Sequence, residues 1–258
     1  MTDVSVIGCG NMGSALLKGL SKAGNHTLTA CDLDPDALES VAEYSSTTTS
    51  DPAVAAESDV VVVAVKPDIV RPVVDDLDLS ADQTLVTLAA GVSTETLEPR
   101  TDATVVRIMP NLAAETRNMA AAVTQHSVND DVRELLDDVG EFVEIDEQQM
   151  DIATAVNGSG PAFVFYLLNA MKQAGVDGGL EDEEAKTLAA QTFKGAAETV
   201  LQSDQRIDEL IDAVCSPKGT TIEGMDVLWD SDADEAVVDA VSAAERRSKE
   251  LATESENE

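Results

Sequence analysis

The sequence predicts an α/β N-terminal domain, built on a doubly wound and mostly parallel sheet, followed by an all-α domain. Three observations carry that expectation. Short β-rich runs alternate with helical stretches through the first half. One run, Val60 to Val65, reads VVVVAV with no polar interruption. Near residue 147 the alternation stops and helical periods follow. Alternating strands and helices build parallel sheets through crossover connections. A strand with no polar side suits a sheet covered on both faces. The expected domains are 1–147 and 148–258.

The elements follow in order. Val4 to Ile7 is a first strand ending at Gly8, and Met12 to Ala23 is a helix stopped by Gly24. Leu28 to Cys31 is a second strand. Asp34-Pro35 opens the next helix, with Asp as N-cap and Pro in the first turn. Thr84 to Leu88 and Thr104 to Met109 are further strands. In the second half Phe163, Val164, Leu167, Leu168 and Met171 share one helical face. Ile222 to Leu228, Glu183 to Leu201 and Ala233 to Leu251 read as helices, and the acidic tail Ala252 to Glu258 as frayed. These helices are apolar over a wide arc, which suits pairing with another subunit.

Charge narrows the function classes. Fifty acidic residues against sixteen basic ones give a net charge of −34. Such a surface repels nucleic acid and anionic membranes. Regular apolar runs argue for a folded core beneath that charge rather than disorder. The surface suits a halophilic protein, because concentrated salt damps self-repulsion. Met1-Thr2-Asp3 leads straight into a strand with no basic segment, so a cytoplasmic location is expected. Cys9, Cys31 and Cys215 are scattered, and His26 and His126 are isolated. That argues against a zinc site or a disulfide framework. Buried thiols and surface histidines are expected instead, and no metal.

Gly8-Cys9-Gly10-Asn11-Met12-Gly13 matches GxGxxG between a strand and a helix, the setting of a Rossmann dinucleotide site. Gly8 permits the tight turn, Gly10 lets a pyrophosphate approach, and Gly13 lets helix and strand pack closely. The helix N-terminus at Asn11 and Met12 offers free N–H groups to phosphate. Asp32 stands 19 positions after Gly13, where an acidic residue binds a ribose 2′-hydroxyl. A carboxylate there repels a 2′-phosphate, so NADH is expected over NADPH. The other reading assigns Asp32 to the general acidic surface. Val65-Lys66-Pro67 lies at the carboxyl edge of its strand and faces the nicotinamide half, or Lys66 is simply solvated. Two further segments, 157–162 (NGSGPA) and 216–221 (SPKGTT), read as turns exposing amides at helix starts. Such amides bind carboxylates; each segment is equally readable as a plain helix cap.

Taken together, the pieces VIGCGNMGSAL, VVVAVKPDIV, TLAAGV, RIMPN, NGSGPAFVF and SPKGTTIEGM resemble the pyrroline-5-carboxylate reductase family over nearly the whole chain. The resemblance implies hydride transfer from NAD(P)H to the C=N carbon of 1-pyrroline-5-carboxylate, giving proline. It implies that the Thr221 hydroxyl bonds the ring nitrogen. The substrate carboxylate then sits on the amides of Gly219, Thr220 and Thr221, near Ser216 and Lys218, with Gly158 and Gly160 also at the substrate. It places Ala90 and Gly91 with the cofactor. It further implies an intertwined dimer, or a ring of dimers. Hydride transfer to an electrophilic imine needs positioning and a donor for nitrogen, not a nucleophile.

Several positions depart from the family pattern. Leu112 and Ala113 follow Asn111 where Thr-Pro is usual, and Met119 and Lys218 stand where glycine is common. Asp51 lies where an asparagine often sits beside the adenine ribose. A β-hydroxyacid dehydrogenase would need a lysine with an asparagine four positions on. Lys172, Lys186 and Lys194 are instead followed by Val176, Ala190 and Glu198. A non-catalytic dinucleotide sensor would have no need of SPKGTT.

Overall fold

The computed structural model describes residues 1–125 and 128–256, so His126 lies outside the described residues. The chain packs into two compact units. One is Met1–Ser159 together with the chain from Ser242 onward, and the other is Gly160–Val241.

The first unit runs β1 (Thr2–Ile7), α1 (Asn11–Ala23), β2 (His26–Cys31), α2 (Pro35–Val41), β3 (Thr47–Thr49), α3 (Pro52–Ala55) and β4 (Val60–Val63). It continues with α4 (Pro67–Asp75), β5 (Thr84–Thr87), α5 (Thr94–Leu97), β6 (Thr104–Met109), β7 (Met119–Thr124), α6 (Asp130–Asp137), β8 (Gly140–Ile145) and α7 (Met150–Ala153). The strands form one sheet in the order β3-β2-β1-β4-β5-β6-β7-β8. Every neighbouring pair is parallel except β6 with β7. The doubly wound, mostly parallel sheet is as expected. The chain winds outward from β1 to β3, then crosses back to β4. The switch point between β1 and β4 leaves a crevice at their carboxyl ends, where ligands bind in such sheets.

The uninterrupted valine run explains itself in this setting. All four residues of β4 are fully buried. Val60 and Val62 join the core containing Leu17, Leu20 and Val106, while Val61 and Val63 join the opposite core with Val70, Val74 and Leu97. Alternate side chains enter opposite faces, and burying each contributes roughly 1.5–3 kcal/mol. Glycine ends α1 as expected: Gly24 is left-handed and its N–H returns to the Leu20 carbonyl at 3.0 Å. Asp34 caps α2 by accepting from the Asp36 N–H at 3.0 Å.

Several expectations need correction. β4 and β5 end at Val63 and Thr87, short of Val65 and Leu88. Lys66 already serves as the extended N-cap of α4, and Pro67 brings no ladder donor. β2 begins earlier than Leu28, because His26 pairs in register with Thr2. That register buries His26 rather than leaving it on the surface. Its Nε2 lies 3.0 Å from Asp138 Oδ2, which also accepts from Asn25. Cys9 and Cys31 are buried as expected, whereas Cys215 is half-buried.

The second unit holds α8 (Gly160–Asp177), α9 (Asp182–Gln202), α10 (Ile207–Val214), α11 (Thr220–Trp229) and the start of α12 (Ala233–Glu256). α8 and α9 approach closely at Gly175, where an added Cβ would lie 3.1 Å from the Ala185 Cβ. Lys172 ties them through Asp182 at 2.6 Å. Among the described residues the shared face of α8 is only partly covered: Phe163 and Leu168 are half-buried, whereas Val164, Leu167 and Met171 are exposed, as are Leu188 on α9 and Trp229 on α11. The tail does not fray at Ala252, because α12 stays helical to Glu256. Within the first unit Ala252 backs onto Gly91, whose Cα would carry a Cβ only 2.8 Å from the Ala252 Cα.

Candidate active site

The glycine loop joins β1 to α1 at the switch point, and each glycine meets a different constraint. Gly8 has φ +98°, and a Cβ there would lie 2.9 Å from the Ala64 carbonyl and from Val65 Cγ1. Gly13 packs against the loop so tightly that a Cβ would fall 1.9 Å from the Gly8 oxygen. Gly10 is the N-cap of α1, and a Cβ there would meet nothing within 4 Å. The helix start therefore lies open, with first-turn amides that have no intrahelical acceptor.

Asp32 closes the loop from the end of β2. Its Oδ2 accepts the Cys9 N–H at 2.6 Å and its Oδ1 accepts the Asp34 N–H at 2.9 Å. A cavity of about 660 Å³ opens here, lined by Gly8, Gly10, Asp32, Leu33, Val65 and Lys66 among others. The carboxylates of Asp34, Asp68 and Asp76 also line it, so the local charge is negative around the Lys66 ammonium. Burial, then Asp32 and Cys31, push the Cys9 thiol up to about 12. Burial, then Asp32 and Asp51, push Cys31 up to about 11. Both sulfurs stay protonated and inert as nucleophiles at neutral pH.

The other predicted cofactor residues are placed unequally. Asn11 and Pro67 open α1 and α4 beside the cavity. Met12 turns its side chain to a small apolar pocket with Leu16 and Ala114, leaving its backbone to the loop. Ala90 packs with Met109, Ala122 and Met150. Gly91, at φ +74°, is backed by Ala252. The structure does not bring these last two into the cavity.

The two glycine-containing segments of the helical half differ from each other. Ser216 to Gly219 is a β-turn closed by the Gly219 N–H on the Ser216 carbonyl at 2.9 Å. Lys218 takes the left-handed position with φ +61°, the place a type II turn reserves for glycine. That is the physical reason a glycine is natural there. Gly219 itself has no room for a side chain, since a Cβ would lie 2.4 Å from Ser216 Oγ. It caps α11, and Thr220 and Thr221 form the first turn with exposed side chains. The Gly219 amide is thus spent inside the turn, which corrects its expected role as a carboxylate donor. The amides of Thr220 and Thr221 keep the open first-turn position.

The segment at Gly158 and Gly160 is not a flexible turn. Residues Thr154–Gly158 form a π-helical turn between α7 and α8, closed by the Ser159 N–H on the Thr154 carbonyl at 3.0 Å. π-turns inside helices are frequent at functional sites. Its Asn157 opens the 157–162 segment, for which the sequence assigns no side-chain role; here that side chain reaches Met109 and Ala120 on the sheet. At the departure after Asn111, the Asn111 Oδ1 caps the following 3₁₀ turn by accepting from the Ala113 N–H at 3.1 Å. Met119 is buried opposite Gly140, where a Cβ would clash with the Met119 backbone.

A glycine loop at a topological switch point, an acidic side chain at the end of the second strand and an open helix start together define an oxidoreductase of the Rossmann class. Residues 3–91 match the family model described as NADP oxidoreductase, coenzyme F420-dependent, and residues 147–251 match pyrroline-5-carboxylate reductase dimerisation. The chain belongs to the pyrroline-5-carboxylate reductase family. It is 37% identical to the pyrroline-5-carboxylate reductase of Methanosarcina acetivorans, covering 96% of this chain and 97% of that one. It is 32% identical to the Escherichia coli enzyme of the same name, over 96% and 97%. The solved structure of Plasmodium falciparum pyrroline carboxylate reductase with NADP bound superposes with a TM-score of 0.82 at 30% identity, covering 97% and 98%. That of a Coxiella burnetii pyrroline-5-carboxylate reductase does so at 0.85, with 30% identity and the same coverage.

Proposed function

We propose that this chain reduces the C=N bond of 1-pyrroline-5-carboxylate to L-proline, the last step of proline biosynthesis, with NADH preferred over NADPH. The observation that carries the cofactor reading is the Asp32 carboxylate, fixed at the glycine loop by two backbone amides. The chain's residues fit a dinucleotide, because Gly10 leaves the start of α1 open above a cavity of about 660 Å³. Gly8, Gly10, Asn11, Met12 and Gly13 hold the pyrophosphate, and Asp32 the adenine ribose. Val65, Lys66 and Pro67 face the nicotinamide half. The Plasmodium falciparum relative carries NADP. In this chain Asp32, Asp34 and Asp68 surround the same region with negative charge, which opposes a 2′-phosphate.

When bound, the reduced nicotinamide supplies hydride. The chain supplies position and a hydrogen-bond donor. The amides of Thr220 and Thr221 hold the substrate carboxylate at the start of α11, with Ser216 and Lys218 beside them. The Thr221 hydroxyl donates to the ring nitrogen and stabilises the charge that changes there. Gly158 and Gly160 are read as substrate-binding as well, through backbone that carries no side chain. In this reading 1–147 is the cofactor half and 148–258 the substrate and self-association half.

Self-association follows from the match to the dimerisation family. The exposed apolar residues of α8, α9 and α11 suit burial in a dimer, or in a ring of dimers. Among the described residues no helix is long and apolar enough to cross a membrane. The net charge of −34 supports work in concentrated salt, and a cytoplasmic setting suits a biosynthetic step. The test follows nicotinamide absorbance in molar KCl with 1-pyrroline-5-carboxylate, running NADH and NADPH side by side. Imine-dependent oxidation, faster with NADH, is expected. Absence of turnover with either cofactor, in folded protein that binds dinucleotide, rejects the substrate; faster NADPH oxidation rejects the cofactor preference.

A further inference from the structure

The antiparallel ladder between β6 and β7 stops at the carboxyl edge of the sheet. Its last registered pairs are Ile108 with Val123 and Met109 with Ala122. Continued in register, the ladder would set Pro110 opposite Ala121 and then Asn111 opposite Ala120, but Pro110 brings no N–H and the chain turns into a 3₁₀ segment. Two asparagine side chains take over the missing bonds. Asn111 Oδ1 receives the Ala120 N–H at 3.4 Å. Asn157 Nδ2 donates to the Met109 carbonyl at 2.6 Å and to the Ala120 carbonyl at 3.0 Å.

The Asn157 amide is thereby oriented without ambiguity. Both neighbours are carbonyl oxygens, which accept only donors, so the nitrogen must face them. Both amide hydrogens are committed, and Oδ1 is left buried with no partner. Asn157 sits inside the π-turn Thr154–Gly158, one residue before Gly158. Its anchor, Met109, is the last residue of β6, which runs parallel to β5. That is the sheet edge at which ligands of such folds bind.

We propose that Asn157 is a positioning residue for the reduction. It pins the π-turn to the ends of β6 and β7, and so fixes the backbone of Gly158 and Ser159 against the site. The proposal rests on the reading that this segment faces the imine. A π-turn has one more residue per turn than its flanking helix and can relax into α geometry, shifting every following residue. Two bonds to the sheet hold it in the π register.

The experiment compares the full-length parent enzyme with Asn157→Ala, Asn157→Asp and Asn157→Gln in steady-state imine reduction. NADH dissociation constants come from fluorescence and Tm from unfolding. In Asn157→Ala kcat for the imine is expected to fall on the order of 10²-fold, as a misplaced site does. The NADH constant should stay within about twofold. Asn157→Asp, which sets a carboxylate against two carbonyls, should lose at least as much. Asn157→Gln keeps both donors on a longer arm and should recover part of the rate. A folded Asn157→Ala with parental kcat overturns the proposal. So does a weakened NADH constant that accounts for the whole loss. Should Asn157→Ala fail to fold, Asn157→Gln decides: lowered kcat at parental Tm supports the proposal, and parental kcat overturns it. Gly160→Ala tests the underlying reading separately, since its added methyl meets no atom within 4 Å. Unchanged kinetics there, with Asn157→Ala impaired, rejects the substrate-facing segment and with it the positioning role, leaving Asn157 a structural tie between the π-turn and the sheet. The reverse pattern rejects the positioning role alone.

Discussion

The Asp32 carboxylate accepts the backbone N–H of Cys9 at 2.6 Å, joining the end of β2 to the middle of the glycine loop. One side chain therefore shapes the loop and sets the charge at its mouth. Charge-assisted bonds of this kind are short and stronger than neutral ones. Asp32→Ala removes both effects and should weaken NADH by roughly 10- to 100-fold, the worth of one hydrogen bond to a charged group. Asp32→Asn keeps an acceptor for Cys9 but loses the charge. It should retain more NADH affinity than Asp32→Ala and narrow the gap to NADPH. Dissociation constants for both cofactors check this; a parent enzyme that already prefers NADPH refutes the ribose role.

Thr221 stands in the exposed first turn of α11. Thr221→Ala should lower kcat/KM for the imine by about 10²-fold, the usual loss when a transition-state donor is removed. NADH binding should not change, and Tm should not fall, because alanine favours helix. Thr221→Ser, which keeps the hydroxyl, should retain most activity. Parental kcat/KM in Thr221→Ala would remove the hydroxyl from the mechanism.

Lys218 pays a conformational cost at φ +61°. A left-handed non-glycine residue loses roughly 1–2 kcal/mol, part of which glycine returns through its freer unfolded chain. Lys218→Gly should therefore stabilise by about 0.5–1 kcal/mol and raise Tm by a few degrees. A rise in imine KM alongside higher Tm would show the ammonium at the substrate carboxylate. A lower Tm would mean the lysine side chain makes contacts that outweigh the strain.

The two buried thiols give folding a pH dependence of known sign. Ordinary thiols ionise at 9.0, whereas Cys9 is raised to about 12 and Cys31 to about 11. Below 9.0 both states keep these protons and the thiols leave stability unchanged with pH. Above it the unfolded chain loses them first, so stability falls until the folded values are reached. Denaturant melts across that window should show the fall, and Cys9→Ser with Cys31→Ser should flatten it. Alkylation of the native protein should be fast at Cys215 and slow at the other two. Fast labelling of Cys9 would contradict its burial.

Local rules reach far into this chain. The GxGxxG spacing is legible because the turn at Gly8 and the packing contact at Gly13 act within a few residues. The same holds for the Asp34-Pro35 cap and the Gly24 stop. β7 (MAAAVT) escapes such reading because alanine has no strand preference; its pairing with β6 makes it a strand. β8 is half-exposed and gains its state from β7.

What the sequence determined by itself is the alternation of strands and helices, the dinucleotide loop, the acidic residue after β2 and the change to helices near 147. These rest on period, caps and turns, whose interactions span a turn or two of chain. Only the tertiary structure decided that His26 is buried on Asp138, 112 residues away, and that Asn157 stitches Met109 and Ala120, 48 and 37 residues away. It also decided that the Gly219 amide is consumed by Ser216 and that Gly91 faces Ala252. A polar group's partner is whichever group the packed core brings within hydrogen-bonding reach, and that distance exists only once the chain has folded.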